Sequence, residues 1–207
     1  MIAQLEGSLR ALGTDHVDLY QAHSGPNEVV DHASLWEALR QQVARGTVRH
    51  LGLSLSGDDL HQVRRAGQVG ASVVQVGYNR LDRTAEQGVF QACLDQDLGG
   101  GGPGAAGQRL PQRQVPAGRL DHGQGDWRSG GDPVEVQRKL ALVEELGRTE
   151  VPDGVAMASW AIAWCLQHPA VSCVVAGCKS VEQLESNVGA ADLDLVRDDH
   201  PLAAVIP

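Results

Sequence analysis

The sequence predicts an α/β fold, a parallel sheet whose strands are joined by helical crossovers. Three observations carry this. Segments with apolar residues at helical spacing alternate with short apolar runs along most of the chain. Runs such as "SVVQV" are nearly continuous, which fits strands covered on both faces. No G-x-G-x-x-G follows a strand, which disfavours a dinucleotide-binding doubly wound sheet. Periodicity by itself leaves an open sheet and a barrel as alternatives.

The elements follow in order. Ile2, Leu5, Leu9 and Leu12 fall on one helical face, and Gly13 supplies a C-terminal stop. "VDLYQAH" reads as a strand. Leu35, Trp36, Leu39 and Val43 form a second helical face, closed by Gly46. "VRHLGLS" is a short buried strand. Ser56 can cap a helix that carries Leu60 and Val63 and ends at Gly67. "SVVQVGYN" is the third strand, and Ala85 to Asp95 a helix. Further helices are expected around Val136 to Leu146 and from about Asp153 to before Pro169. The latter places Met157, Trp160, Ala161, Trp164 and Cys165 on one face. "VSCVVAG" completes four clear strands, and "SVEQLESNVGAA" is a final helix. Its start is a capping box, with Ser180 as N-cap and Gln183 three residues on.

Composition narrows the function. The 207 residues suffice for one domain with a sizeable core, and the net charge of −9 argues against nucleic acid and anionic membranes. No run reaches the 18 or so apolar residues of a membrane span, and Glu6 and Arg10 break any signal-peptide pattern. Cys93, Cys165, Cys173 and Cys178 form no CxxC pair and no zinc spacing with histidine, so no metal is expected. A reduced, cytoplasmic chain follows.

Three segments go beyond rhythm. "SLRALGTDHVDLYQAH", the pair "VRHLGLS" and "VVQVGYNRLDR", and "HPAVSCVVAGCKSVEQLESNVGAAD" resemble, in order and spacing, segments of the aldo-keto reductases. The resemblance implies a (β/α)8 barrel that reduces a small carbonyl substrate with NADPH, using an Asp, Tyr, Lys and His tetrad. In such barrels function sits at the C-terminal ends of strands. By position, His23 is implied as the catalytic histidine that orients the carbonyl. Ser54 and Gln75 match positions that hydrogen-bond the nicotinamide amide, although Leu55 stands where an Asn is usual. Gly177, Cys178, Lys179, Gln183 and Asn187 match the segment that holds the adenosine end of NADP and its 2′-phosphate. A helix N-terminus and a lysine suit a phosphate on physical grounds as well. His16, His32, His50, His61, His122, His168 and His200 have no such match. Tyr78 resembles a substrate-pocket position.

The same resemblance marks what is missing. The family's Asp, Tyr and Lys lie on strands that precede this sequence, so an N-terminally truncated partial barrel is expected. It would hold strands four to eight with the seventh lost. Tyr20, three residues from His23, points to the other face of its strand and cannot replace the proton donor. Without that general acid, carbonyl reduction is expected to fail.

The seventh strand should fall where Gly99 to Gly131 holds 14 Gly or Pro in 33 residues, a composition suited to disorder. Its only β-branched residue is Val115, so a buried strand is excluded there. Codons chosen for Gly100 to Gly118 and read one base later give VVARVPLASGYLSGKYRP, which resembles the family's seventh strand and phosphate loop. A frameshift over about 99–125 is therefore expected. The expected chain is a single partial-barrel domain over 1–207 with this segment inside it. The alternative is a non-enzymatic NADP-binding or interaction module of the same origin.

Overall fold

The computed structural model describes residues 1–55, 57, 59–98 and 133–193. The expectations for 99–131, including the frame-shifted reading, and for a cap at Ser56 lie outside the described residues. Helix α1 (Ile2–Leu12) ends at Gly13 in the left-handed conformation, with φ 67. Strand β1 (Val17–His23) follows, then a short helix α2 (Asn27–Asp31) and α3 (Ala33–Ala44). Strand β2 (Val48–Ser54), helix α4 (Leu60–Val69) and β3 (Ala71–Gln75) complete a repeating strand-helix unit. A 3₁₀ turn (Thr84–Gln87) leads to α5 (Val89–Asp95). Helices α6 (Pro133–Thr149), α7 (Met157–Leu166) and α8 (Val181–Gly189) follow, and a 3₁₀ turn (Ala190–Asp192) closes the sequence of described elements.

β1, β2 and β3 form one parallel sheet in that order. One face of it is the core. Ala22, Leu51, Leu53 and Val74 are buried there, together with Leu5 of α1, Trp36 and Leu39 of α3, and Val63 and Ala66 of α4. The other face was expected to be covered too. Among the described residues it carries Leu19, which is 39% exposed, and the exposed His50 and His23. Gly52 lies at its centre, where a Cβ would come within 3.0 Å of both the Val73 backbone oxygen and the Gln21 side chain.

Four expectations are corrected. α4 is capped by Asp59, whose carboxylate accepts from the N–H groups of His61 and Gln62, and it runs through Gly67 to Gly70 at φ 87. Helix 85–95 is split at Gly88, whose φ of 150 no L-residue adopts without strain. α7 starts at Met157 rather than Asp153. The fourth expected strand, "VSCVVAG", is not formed: residues 171–178 carry no regular structure. A strand is defined by its neighbour's backbone, and this segment is not part of the ladder of β1, β2 and β3. The sheet therefore has three described strands, not four.

Behind β3, a second packing centre joins α5 to α7. Tyr78, Phe90 and Trp164 are 0%, 2% and 1% exposed. The Tyr78 ring meets Phe90 edge-on at 4.7 Å and Trp164 at 5.2 Å. Cys93 and Cys165 are buried in the same region, while Cys173 and Cys178 are exposed.

Candidate active site

The parallel register fixes the first part of the site. His23 pairs with Ser54, and Ser54 pairs with Gln75, so the last residues of β1, β2 and β3 stand in one row. Residues paired across a parallel ladder project to the same face. Three polar side chains are thus presented together at the C-terminal end of the sheet, on the face away from the core. The row is stiffened beyond the strands, since Ser24 N–H donates to the Ser54 carbonyl at 2.7 Å and Leu55 N–H to that of Gln75 at 2.8 Å. Ser54 is buried and His23 exposed, an arrangement of one fixed and one accessible group.

A brace that the sequence reading missed holds the turn after His23. Gln62, 5% exposed, donates from Nε2 to the Gly25 carbonyl at 2.9 Å and to Asn27 Oδ1 at 3.0 Å. Asp59 Oδ2 lies 3.3 Å from the same nitrogen. The turn needs holding, because Ser24 sits at φ 44, a conformation unfavourable to any residue with a side chain. The available signal was a glutamine at a core position of an amphipathic helix, in line with Ala66 and Val69.

The second part is at the start of α8. Ser180 Oγ accepts from Gln183 N–H at 3.2 Å, as the capping box predicts. The return bond goes one residue further back than expected: Gln183 Oε1 accepts from Lys179 N–H at 2.8 Å. Asn187 Nδ2 donates to the Gly177 carbonyl at 3.4 Å. Gly177, Cys178, Lys179, Gln183 and Asn187 are therefore one hydrogen-bonded unit in which Gln183 and Asn187 shape the backbone that carries Lys179. Glu182 shares this first turn. Hydrogen bonds from Ser180 and its own backbone hold its carboxyl below the usual range. Among the described residues no hydrogen bond joins this unit to the His23 row.

The two tyrosines are both committed elsewhere. Tyr20 donates to the Met1 carbonyl at 3.2 Å on the helix side of β1. Tyr78, expected near substrate, is fully buried and donates to Glu86 Oε1 at 2.6 Å. Burial first, then the Glu86 carboxylate, push its pKa far above that of a free phenol. The Tyr20 hydroxyl lies on the face opposite His23, and that of Tyr78 is taken by Glu86. Among the described residues no cluster of His, Cys, Asp and Glu suits a metal ion. No described helix is long and apolar enough to cross a membrane.

A sequence model of the aldo/keto reductase family matches residues 1–204. YrpG, an uncharacterized oxidoreductase of Bacillus subtilis, is 29% identical over 211 residues, which cover 94% of this chain and 59% of that protein. The aldo-keto reductase yakc [NADP(+)] of Schizosaccharomyces pombe is 27% identical over 92% of this chain and 57% of its own length. An NADPH-dependent alpha-keto amide reductase of Saccharomyces cerevisiae is 27% identical over 45% of the chain and 32% of its own length. Among solved structures, the holo form of an aldo-keto reductase from Bacillus halodurans superimposes with a TM-score of 0.69 at 24% identity, over 97% of this chain and 64% of that one. A thermostable aldo-keto reductase bound to the inhibitor epalrestat gives 0.64 at the same identity and coverage. The fold is thus that of the (β/α)8 barrel reductases, and the chain spans less than two thirds of these relatives' length.

Proposed function

Because the chain belongs to the aldo/keto reductase family, we propose that it carries the carbonyl-orienting and cofactor-holding parts of an NADPH-dependent reductase of small aldehydes or ketones. The observation that carries this reading is the row of His23, Ser54 and Gln75 at the C-terminal ends of neighbouring parallel strands. In this reading β1 to β3 are the fourth to sixth strands of the barrel, and 171–177 stands in the place of its eighth without forming a strand.

The residues fit the cofactor in kind. Lys179 offers an ammonium beside the capped start of α8, where backbone N–H groups favour a phosphate. Glu182 opposes that charge and is held by Ser180. Ser54 and Gln75 offer a hydroxyl and an amide, which match the donors and acceptors of a carboxamide. Bound NADPH supplies the hydride. His23 donates a hydrogen bond to the substrate oxygen and stabilises the charge that develops there. The proton that this oxygen finally takes needs a positioned acid. With Tyr20 and Tyr78 both committed, neither tyrosine of this chain supplies it.

The 207-residue chain alone is accordingly expected to consume no NADPH against a panel of aldehydes and ketones. The assay is absorbance loss at the nicotinamide band. Turnover that survives repurification and disappears in His23→Ala overturns the expectation. A second reading, an NADP-binding module without turnover, is supported by the closed hydrogen-bond unit of residues 177–187, which is complete without the His23 row.

A further inference from the structure

We infer that Ser159 is a positioning residue for the cofactor segment, setting where α8 and its phosphate-binding start are held. The inference rests on the reading of residues 177–187 given above.

The starting point is what does not hold α8. None of its residues is buried, and Val181, Leu184 and Val188 are 66%, 50% and 65% exposed. Apolar burial, the usual anchor of an amphipathic helix, is thus largely unused along its length. The nearest buried residue is Ala190, just past its end.

The polar contacts then decide its seat. Ser159 of α7 reaches Ser186, in the last turn of α8. It is 8% exposed, and its Oγ lies 3.2 Å from the Ser186 carbonyl and 2.8 Å from Ser186 Oγ. One buried hydroxyl therefore bonds both the backbone and the side chain of a single residue of α8. Ser186 is immediately followed by Asn187, which ties the helix to the Gly177 carbonyl. One turn earlier, Gln183 ties it to Lys179 N–H. The clasp on α7 and the cradle around Lys179 thus lie on consecutive turns of one short helix, so a shift at the first moves the second.

The ligand that tests this is adenosine 2′,5′-bisphosphate, which presents the 2′-phosphate without the nicotinamide half. Its affinity for the full chain is measured by calorimetry, together with thermal unfolding. Ser159→Ala is expected to weaken binding about fivefold, the worth of one hydrogen bond. Ser186→Ala, which touches only an exposed side chain and keeps the carbonyl partner, is expected to weaken it by about twofold. Val63→Ala, a core variant on α4 that also lowers the melting temperature, should leave the affinity within experimental error. Equal weakening in Val63→Ala makes the effect one of global stability and overturns the proposal. So does unchanged affinity in both serine variants while the wild type binds. No binding by the wild-type chain at millimolar ligand removes the cofactor reading itself, and the proposal with it.

Discussion

Trp36→Ala is expected to lower folding stability by about 3–5 kcal/mol, the range for truncating a buried tryptophan. Trp36 is 1% exposed in the core beneath the sheet, and its Nε1 donates to the Val29 carbonyl at 3.0 Å. Two losses add up: the cavity left under the sheet, and the donor that ties α2 to α3. They separate in Trp36→Phe, which keeps most of the ring and loses the bond, with an expected cost of about 1–2 kcal/mol. Since whole domains are stable by roughly 5–15 kcal/mol, the alanine variant should be largely unfolded at 37 °C. Urea unfolding followed by far-ultraviolet circular dichroism gives both numbers. A loss below about 1 kcal/mol for Trp36→Ala contradicts the packing described here.

Glu86→Ala should have the second largest effect, and a pH signature. Glu86 accepts from Tyr78 Oη at 2.6 Å and from Arg83 through Nε and Nη2, both at 2.8 Å. The Arg83 guanidinium lies 5.7 Å from the centre of the Trp164 ring. Removing the carboxylate leaves a phenol and a guanidinium without it in a half-buried site, where the side chains of Arg83 and Glu86 are 17% and 21% exposed. The remaining solvent access moderates the penalty of a fully buried pair, so about 2–3 kcal/mol is expected. Burial raises the Glu86 pKa, but the hydrogen bonds from Arg83 and Tyr78 and the nearby positive charges outweigh it, and the carboxyl ends below its ordinary value. A depressed carboxyl contributes stability above the unfolded pKa of about 4.3 and loses it as pH falls through the folded value. Wild type should therefore lose stability below about pH 4.3 more steeply than Glu86→Gln. Parallel acid limbs for the two proteins, recorded by urea midpoints at several pH values, refute this account.

The first three strands were legible, although the third ends at Gln75 and not at Asn79 as expected, because each needs only local information: an apolar run, a glycine or turn before it, and a helix after it. "VDLYQAH" and "VRHLGLS" match β1 and β2 residue for residue. The row of His23, Ser54 and Gln75 came from family position, but what brings the residues together is register, which no single segment encodes. "VSCVVAG" reads equally well as a strand, yet pairing belongs to its neighbours and not to itself. The cap of α4 was misplaced because Ser56 and Asp59 are both good N-caps, and the choice falls where the helix face meets the core. Gly67 looked like a stop because glycine is usual there, but φ above zero occurs at Gly70 instead. The short α2 carries too few residues to show a period. Tyr78 was placed near substrate by motif, whereas Glu86, eight residues on, captures its hydroxyl. Ser159 and Gln62 are invisible for a related reason: their partners, Ser186 and Gly25, are far away in sequence.

The four thiols fall into two classes of chemical reactivity. Burial pushes the Cys93 thiol up to about 11 and that of Cys165 up to about 12. Only the thiolate attacks an alkylating reagent, so near pH 8 both are doubly shielded, by exclusion and by protonation. Cys173 and Cys178 lie open to solvent on the segment ahead of α8. Iodoacetamide should therefore modify two thiols quickly and two slowly, and the slow pair times how often the packing between α5 and α7 opens. Four equally fast thiols would mean that this packing does not persist in solution. The chain thus carries an intrinsic clock for its own opening, one that needs neither ligand nor turnover to be read.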